Sequence, residues 1–312
     1  MRRLLLLAVL SLACARPVRA SSAGSTGGVS LRRPVSARVV GLAESFAAAA
    51  GGASSLGSNP AGAAGAARPE LESTFTSGVV DDAFGFLGYA HPTRLGVAAA
   101  GLAYYDAGNV ELTFPGGAKE TRTAQRDMIF QAGGAKTLGA GLSAGVLAKF
   151  YRFELAQEAR ASGWAADAGL QWAAPLEGLR LGGAIQNLGQ AVKFESESDP
   201  LPLTARFGAA WTLSVKPAER TESYYTGTRL TLLADGVKIR DEAAYPSVGG
   251  EFCLEVGAAT ELALRGGWIF NHASDGAAFG LGLREGRFAV DYALAAKGML
   301  GNIHHVSLAV RF

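Results

Sequence analysis

The chain has 312 residues, of which 49% are hydrophobic, 18% are charged and 42 are glycine, and its mean hydropathy is +0.17. A soluble domain usually has about 25% charged residues and about 7% glycine, so this chain is poor in charge and rich in glycine. It is too apolar for a disordered protein, and its glycines show no collagen-like repeat. Its 29 basic and 27 acidic residues nearly balance, which gives no electrostatic reason to expect nucleic acid as a partner.

The beginning of the chain has the three parts of an export signal. Residues 2–3 are arginines, residues 4–13 are an apolar run, and a small-residue cleavage site ends at Ala20. We therefore expect cleavage after Ala20. The apolar run has about ten residues, which is too short to cross a bilayer. A lipoprotein signal ending before Cys14 is the alternative, but Ser11 stands where a bulky aliphatic residue is usual.

After that cleavage the chain keeps one cysteine, Cys253, so disulfides within the chain cannot hold the exported fold together. No stretch after residue 20 has the roughly 18 uninterrupted apolar residues of a transmembrane helix. An exported, hydrophobic chain of this kind is either a soluble periplasmic β-protein or a β-barrel of the outer membrane. The pattern of its strands decides between the two.

Apolar residues alternate with small or charged ones at period two, the pattern of an antiparallel strand with two different faces. In residues 287–294, for example, Phe288, Val290 and Tyr292 share one face and Asp291 lies on the other. Glycine, alanine and isolated arginine make a poor solvated surface for a sandwich, whereas lipid outside and a polar lumen inside account for both faces. The same alternation occurs in residues 203–215, 262–270 and 304–312.

About fourteen segments are candidate strands, an even number as bacterial single-chain barrels require. Short connections such as residues 175–177 alternate with longer ones such as 189–201, as short periplasmic turns alternate with long outer loops. The connection at residues 217–225 breaks this rule, because it is long on the predicted periplasmic side. We predict an all-β fold, a transmembrane antiparallel β-barrel of about 14 strands. The candidate strands are residues 70–81, 83–91, 93–114, 119–137, 140–155, 160–174, 177–188, 202–216, 226–238, 246–257, 260–271, 277–284, 286–296 and 302–312.

The segment before the strands carries a recognisable motif. It begins with Ala37-Arg38 and Gly41, continues through the alanine-rich residues 47–50, and ends in Asn59-Pro60-Ala61-Gly62. In this it resembles the N-terminal signature of the PorV/PorQ outer-membrane family, which is related in fold to the FadL long-chain fatty-acid transporters. Two later stretches are also similar to the family, residues 178–189 and 300–308. The resemblance thus extends in order over most of the mature chain.

The resemblance implies a barrel of fourteen strands whose N-terminal segment folds into the lumen as an α-helical plug, or hatch. We assign residues 1–20 to the signal peptide, 21–68 to the N-terminal extension and plug, and 69–312 to the barrel. A barrel of this size lined with glycine and alanine would leave a hole, since about eight strands are filled by side chains and about sixteen leave a channel. Residues 43–50 are expected to form a short helical stretch, too apolar to lie free in water, which suits a plug.

The plug motif comprises Gly41, Asn59, Pro60, Ala61 and Gly62. Proline has no backbone donor, so we expect the Asn59-Pro60 turn to end the plug before the first strand. At the far end of the chain, Phe312 closes an alternating strand and is similar to the recognition signal of the outer-membrane assembly machinery.

Catalytic and metal-binding patterns are weak. Residues 141–145 read G-x-S-x-G, with Asp291 and His304 or His305 following in hydrolase order. That motif needs a strand, a sharp turn and a helix, whereas residues 140–155 have the pattern of one continuous strand. The two histidines are adjacent, so on a strand they point to opposite faces and cannot chelate one metal ion. We predict no enzyme activity, no metal site and no cofactor.

Six charged residues are expected on the lumenal face of the barrel. Two interpretations remain open: a salt-bridge lattice that braces the barrel against the plug, or a ring that tunes what passes. The residues are Arg180, Arg206, Glu251, Arg265, Asp291 and Arg311.

The resemblance implies an accessory of protein secretion, of the type IX kind, that holds exported proteins at the cell surface with outer loops such as residues 189–201 and 241–246. The alternative is a FadL-like channel for hydrophobic small molecules such as long-chain fatty acids, in which the plug shifts to open a path. A soluble periplasmic protein is disfavoured by the two faces of the strands. The expected location is the cell outer membrane. Expected partners are its lipid, the assembly machinery, and secreted proteins or hydrophobic small molecules, but no nucleic acid.

Overall fold

The computed structural model describes residues 26–78, 81–194, 197–215, 225–257, 259–272, 276–296 and 301–312. The export signal expected at residues 1–20 lies outside these residues, as does most of the connection at 217–225. Within the described part of the chain, no helix is long and apolar enough to cross a membrane.

The N-terminal segment, residues 26–68, is built of short helical turns. They are a 3-10 helix at Val29–Arg32, the helix α1 (Ala37–Gly41), and two further 3-10 helices at Gly52–Gly57 and Pro60–Gly65.

The expectation of a helix at residues 43–50 is wrong, because the chain turns there. Ala43 and Glu44 have φ values of 51° and 60°, in the left-handed region. The backbone N–H groups of Phe46 and Ala47 donate to the carboxylate of Asp235 on the barrel wall, at 2.9 Å each, rather than to carbonyls of a helix. Bonds to the wall therefore override the helix propensity of the alanines.

After residue 69, the described residues are mainly strand. In chain order the strands are β1 (Glu70–Ser77), β2 (Ala83–Thr93), β3 (Gly96–Asp106), β4 (Asn109–Thr113), β5 (Lys119–Thr123), β6 (Gln125–Gly139), β7 (Leu142–Leu155), β8 (Ala159–Ala173), β9 (Leu179–Gly189), β10 (Val192–Phe194), β11 (Glu197–Asp199), β12 (Thr204–Val215), β13 (Tyr225–Ile239), β14 (Tyr245–Val256), β15 (Thr260–Ile269), β16 (Gly276–Glu285), β17 (Phe288–Ala296) and β18 (Asn302–Arg311).

Fourteen of these strands form one closed antiparallel barrel, which confirms the predicted fold class. The wall closes where β1 pairs with β18, with Glu70 opposite Arg311 and Ser77 opposite His304. The candidate strands at residues 93–114 and 119–137 were too long at one end. The extra residues form β4 and β5, which pair as a separate hairpin. The sequence pattern does not reveal this end of the wall, because alternating residues such as Val110 and Leu112 continue after the chain has left it.

The two faces of the wall differ as the alternation predicts. On β12, Phe207 points outward with 70% of its surface exposed, while its neighbour Arg206 points into the lumen and is 8% exposed. Leucine, phenylalanine, valine, tryptophan and tyrosine dominate the exposed large side chains of the outer face. This is the apolar belt that a lipid environment requires.

The two ends of the barrel also differ. The hairpins β4–β5 and β10–β11 both lie at one end, called here the long-loop rim. Tight connections such as residues 94–95, 140–141 and 286–287 lie at the other end, the short-turn rim.

Candidate functional site

The N-terminal segment runs through the lumen from one rim to the other. At the long-loop rim the N–H of Gly27 donates to the carbonyl of Pro200 at 3.1 Å, and Arg33 pairs with Asp82 at 2.8 Å. At the short-turn rim its last residues line a cavity together with Gly286 in the turn before β17. Between the rims its side chains are buried, including Leu42, Phe46, Leu56 and Asn59, each 0% exposed.

Inward-facing glycines of the wall receive the backbone of this segment. A Cβ at Gly182 would lie 2.0 Å from the carbonyl oxygen of Ala47, and one at Gly249 would lie 2.6 Å from the carbonyl oxygen of Leu42. No side chain fits at those distances, so glycine lets the segment approach the wall closely. We call these wall positions the glycine seat; they are Gly145, Gly169, Gly182, Gly249, Gly267 and Gly280.

Polar side chains of the wall satisfy backbone donors of the segment. Besides Asp235, Glu70 accepts from the N–H of Ala53 at 3.1 Å, and Ser307 accepts from the N–H of Ala37 at 2.8 Å. Irregular backbone buried in a lumen needs such partners. The polar groups of the wall are therefore complementary to the backbone of the segment.

The predicted motif residues fold the segment onto itself. The side chain of Asn59 donates to the carbonyls of Ala47 at 2.7 Å and Leu170 at 3.0 Å, and accepts from the N–H of Ala61 at 3.0 Å. Pro60 does not end the segment as expected. It begins the 3-10 helix Pro60–Gly65, because proline at the first helical position loses no hydrogen bond.

The two motif glycines lie at crowded positions. A Cβ at Gly41 would lie 3.0 Å from the Cα of Gly280 in the seat, and one at Gly62 would lie 2.5 Å from the hydroxyl of Ser55. Phe312, at the end of the chain, is 61% exposed, and its N–H donates to the carbonyl of Pro69 at 2.9 Å. Its expected role in assembly stays a prediction.

An ion-pair network centred on Glu251 ties the segment to the wall. Arg38 of the segment donates to both carboxylate oxygens of Glu251, each at 2.8 Å, and Arg265 donates to the same carboxylate at 2.8 Å. Arg265 also pairs with Asp291 at 2.5 Å. The side chains of Glu251 and Arg265 are only 3% and 5% exposed. This arrangement agrees with the bracing interpretation of the lumenal charges.

The network borders the inner cavity, a space of about 480 Å³ near the short-turn rim. Four of the six predicted lumenal charges line this cavity, and Asp291 contacts it through Arg265. Arg206 does not belong to this group. The lining residues are Arg38, Ala48, Ala49, Ala50, Ala173, Ala174, Gly178, Leu179, Arg180, Ala210, Thr212, Arg229, Thr231, Leu233, Glu251, Glu261, Arg265, Arg284 and Arg311.

A second space of about 260 Å³, the outer cavity, lies towards the long-loop rim. Arg206 lines it, donates to the carbonyl of Glu44 at 2.6 Å and faces Asp235 at 3.6 Å. The outer cavity has no lining residue in common with the inner one, and the N-terminal segment separates them. Its apolar lining includes Leu31, Val237, Ile239, Tyr245 and Ile269.

Sequence reasoning missed a buried ion pair in the wall. Lys149 and Asp167 approach to 2.7 Å with side chains 4% and 0% exposed, and Lys149 also donates to Asn187 at 2.9 Å. Asn187 has a φ of 60°, where the register between β8 and β9 shifts. The signal was present for the pair itself, since Lys149 and Asp167 each lie on the inward side of an alternating strand among small or apolar neighbours, whereas Asn187 is turned inward only by the shift of register.

Asp235 and Arg38 were also missed as site residues. Asp235 is 4% exposed and lies on the inward face of β13 between the buried Leu233 and Val237, an acidic residue in an apolar row. Arg38 is part of the resemblance motif, but a sequence motif does not reveal that its partner is Glu251.

The catalytic pattern dismissed from sequence is not assembled. Ser143 lies on the continuous strand β7 and faces Thr137 at 3.1 Å. His304 contacts Tyr292 on the outer face, whereas His305 contacts Thr76 on the inner face. Among the residues described, no group of three potential metal ligands occurs.

A latch of three residues holds the segment at the long-loop rim. Arg32 of the segment and His272 both contact the carboxylate of Glu242, at 2.5 Å and 2.9 Å. Burial acts to raise the pKa of Glu242, but hydrogen bonds from His272 and Arg32 and the charge of Arg32 outweigh it and hold the pKa below its usual range. The stabilisation is therefore present above the ordinary carboxylate pKa of about 4.3 and is lost as the pH falls through the lower value in the folded protein.

We expect Glu242→Gln to loosen this latch at neutral pH. Losing a charged hydrogen bond costs about 1–2 kcal/mol, so hydrogen exchange in residues 29–36 is expected to accelerate by roughly 5- to 30-fold, measured by mass spectrometry. Glu158→Gln is the control, because Glu158 is 71% exposed at the same rim and pairs with Arg122 instead of the segment. Equal exchange in wild type and Glu242→Gln would show that the latch contributes nothing.

The sequence matches no family model and no curated protein. The structure is similar to the toluene transporter TodX of Pseudomonas putida, with a TM-score of 0.57 and 10% identity over 90% of this chain and 98% of that chain. It is also similar to the toluene transporter TbuX of Ralstonia pickettii, with a TM-score of 0.55 and 12% identity over 91% of this chain and 100% of that chain. A third similar structure, the CymD monoaromatic hydrocarbon channel, has a TM-score of 0.54 and 11% identity over 89% of this chain and 97% of that chain. Likeness at these identities shows a shared barrel fold.

Proposed function

We propose that this protein is an outer-membrane channel for hydrophobic small molecules. The proposal rests on one observation: the lumen contains two cavities, and the N-terminal segment, which is anchored to the wall, lies between them. The outer cavity presents apolar residues towards the long-loop rim, where a hydrophobic molecule would arrive. The shared fold with channels named for toluene and other monoaromatic hydrocarbons supports the same reading.

In this proposal the N-terminal segment is the plug expected from the sequence, within residues 21–68. Between the two cavities it contacts the wall through the glycine seat and through hydrogen bonds to Asp235. Its irregular backbone is held by single hydrogen bonds from wall side chains and not by a continuous helix or sheet ladder, so residues 42–50 can shift and join the cavities without unfolding a helix. Export by the signal peptide with cleavage after Ala20, assembly through Phe312 and contact with outer-membrane lipid belong to the same proposal.

A role as a PorV-like secretion accessory receives less support. Its outer loops would engage exported proteins, yet the long-loop rim carries two short hairpins, β4–β5 and β10–β11, as its largest described features. The relation to the PorV/PorQ family stays a prediction.

A reversible cross-link tests whether the segment must move. The hydroxyls of Ser45 in the segment and Ser247 on β14 lie 2.8 Å apart and are buried, so cysteines at both positions are close enough for a disulfide. The double variant Ser45→Cys/Ser247→Cys is made in a Cys253→Ala background. When its disulfide has formed, we expect the rate of toluene uptake to fall at least about tenfold, because a locked segment removes the open state from the population. Reduction should restore uptake.

The control cross-link joins wall to wall. Thr137 and Ser143 are directly paired neighbours on β6 and β7, with hydroxyls 3.1 Å apart. Oxidised Thr137→Cys/Ser143→Cys should leave uptake unchanged. If cells with the wild-type protein take up toluene no faster than cells without it, the proposed function is wrong. If the oxidised Ser45–Ser247 cross-link leaves uptake unchanged, the segment does not act as a plug.

A further inference from the structure

The outer face of the barrel is recessed in one sector. Elsewhere its lipid-facing positions carry bulky side chains, such as Phe207 on β12 and Phe279 on β16, which are 70% and 59% exposed. On the four adjacent strands β3, β6, β7 and β8, two neighbouring rows of outward positions are occupied mainly by small residues. One row is Ala100, Ala132, Ala148 and Ala166, and the other is Ala98, Gly134, Val146 and Ala168.

Larger side chains bound this recess on two sides. Towards the short-turn rim, Leu95 in the turn between β2 and β3 is 80% exposed. The space near that rim measures about 780 Å³, and a second space of about 500 Å³ continues it over Ala132 and Ala148. Towards the long-loop rim, the next row of outward positions is Leu102, Phe130, Phe150 and Trp164.

Two basic side chains lie at the short-turn end of the recess and line it. Arg94 is in the turn before β3, and Lys136 lies two residues after Gly134 on the same face of β6; both are exposed. Among the described residues, neither has a hydrogen bond or an ion pair, and none of those that line this space is acidic. The apolar recess therefore ends in two positive charges that the described part of the wall does not neutralise.

This combination matches the two parts of a phospholipid. Short turns of a bacterial barrel face the periplasm, so Arg94 and Lys136 lie at the level of the headgroups of the periplasmic leaflet. Anionic headgroups attract lysine and arginine near the membrane surface, and both side chains form charge-assisted hydrogen bonds with a phosphate. The small residues above them leave room for an acyl chain to lie close to the wall.

A second copy of the chain fits this face less well. Two barrels in one membrane have the same orientation, so a two-fold axis along the membrane normal places their short-turn rims at the same height. Arg94 and Lys136 would then lie near the same two residues of the other copy, and like charges repel. The charge at the end of the recess thus favours an anionic lipid over self-association.

We propose that the recess binds one anionic glycerophospholipid of the periplasmic leaflet. Arg94 and Lys136 hold its phosphate, and an acyl chain lies over the two rows of small residues. The site is on the outer face of the wall, so it does not depend on what passes through the lumen.

The wall behind the recess is also the part that receives the N-terminal segment. Gly145 lies between the outward-facing Ala144 and Val146, and a Cβ at this glycine would lie 2.5 Å from the carbonyl carbon of Pro60. The lipid and the segment therefore pack against opposite faces of the same short stretch of β7. A bound lipid supports the wall from outside where the glycine seat holds the segment inside.

Native mass spectrometry of the full mature protein with two lipids of identical chains tests the site. We expect the wild type to prefer palmitoyl-oleoyl phosphatidylglycerol to the phosphatidylcholine at least about fivefold, because the choline cation is repelled by Arg94 and Lys136. Arg94→Gln/Lys136→Gln should weaken phosphatidylglycerol binding about 30-fold, since each basic residue near the surface contributes about fivefold.

Two control variants separate the recess from general charge and general bulk. Arg152→Gln/Arg287→Gln removes two exposed arginines that do not line the recess, and it should bind phosphatidylglycerol as the wild type does. Ala98→Phe fills the recess without changing charge and should weaken binding at least about fivefold. Ala205→Phe, at an exposed position of β12, should have no effect. Gel mobility without heating checks that every variant is a folded barrel.

The inference is wrong if phosphatidylcholine binds the wild type equally well, if the Arg152/Arg287 control loses as much affinity as the Arg94/Lys136 variant, or if Ala98→Phe leaves binding unchanged. Competition by inorganic phosphate would replace the lipid by free phosphate as the ligand. Dimers that disappear in Ala98→Phe would assign the face to a second copy. Toluene uptake is not a readout of this site, so the proposed function stands or fails separately.

Discussion

Gly182→Val is expected to displace the N-terminal segment and make the barrel leaky. A Cβ at Gly182 would lie 2.0 Å from the oxygen and 2.5 Å from the carbon of the Ala47 carbonyl, which are backbone atoms that cannot rotate away. The wall at this point is hydrogen-bonded to β8 on one side and β12 on the other, whereas residues 42–50 are held by isolated bonds. The segment therefore yields rather than the wall.

Overpacking of this kind costs about 1–3 kcal/mol, which shifts a closed-to-open ratio by about tenfold or more. The measurement is the rate at which a periplasmic β-lactamase hydrolyses nitrocefin added to intact cells. Gly183→Val is the control, since it is the next residue, faces outward, and its only neighbour within 4 Å is the carbonyl oxygen of Arg206 at 3.7 Å. The same rate in both variants would contradict a seat for the segment at Gly182.

Glu251→Gln is expected to be the most destabilising single change among the lumenal charges. The carboxylate is 3% exposed and accepts hydrogen bonds from Arg38 of the segment and Arg265 of the wall. Glutamine keeps the shape but leaves the buried guanidinium of Arg265 and the partly buried one of Arg38 without this charge, and breaking a buried pair in this way costs about 3–5 kcal/mol. The free energy of unfolding from urea titrations in lipid vesicles measures the loss.

A matched variant and a double-mutant cycle assign the effect to burial and to the segment. Glu255→Gln removes a carboxylate from the same face of β14 four residues further on, where the side chain is 39% exposed and pairs with Arg229 at 3.2 Å, and should cost less than about 1 kcal/mol. Adding Arg38→Met to Glu251→Gln should restore stability, because it removes one unpaired charge. Strictly additive losses would show that Arg38 and Glu251 are not coupled.

The bracing interpretation of the lumenal charges agrees with the contacts of some of these residues and not with those of others. Glu251, Arg265 and Asp291 form a lattice with Arg38 and agree with bracing. Arg180 has no such pairing in the part of the chain that the structure describes. A sequence pattern places all of them on one face but does not distinguish a paired charge from a free one.

The strands of the wall could be predicted because the information for each is local. A lipid belt outside and a lumen lined by small or polar residues inside impose alternation within each span of about ten residues. The faces of Phe207 and Arg206 can therefore be predicted without reference to the rest of the chain. For the same reason the sequence pattern does not separate the hairpin β4–β5 from the neighbouring wall strands, since the alternation continues after the wall has ended.

The site depended on contacts between residues far apart in the chain. Arg38 and Glu251 are separated by 213 positions, and Phe46 and Asp235 by 189. Alanine propensity favoured a helix at residues 43–50, but the carboxylate of Asp235 and the space left by wall glycines such as Gly182 decided an irregular path. The sequence by itself determined the barrel and its two faces, because alternation is set by the solvent on each side of a single strand. Only the tertiary structure decided which lumenal charges are paired, since closing the barrel around the N-terminal segment is what brings their partners together.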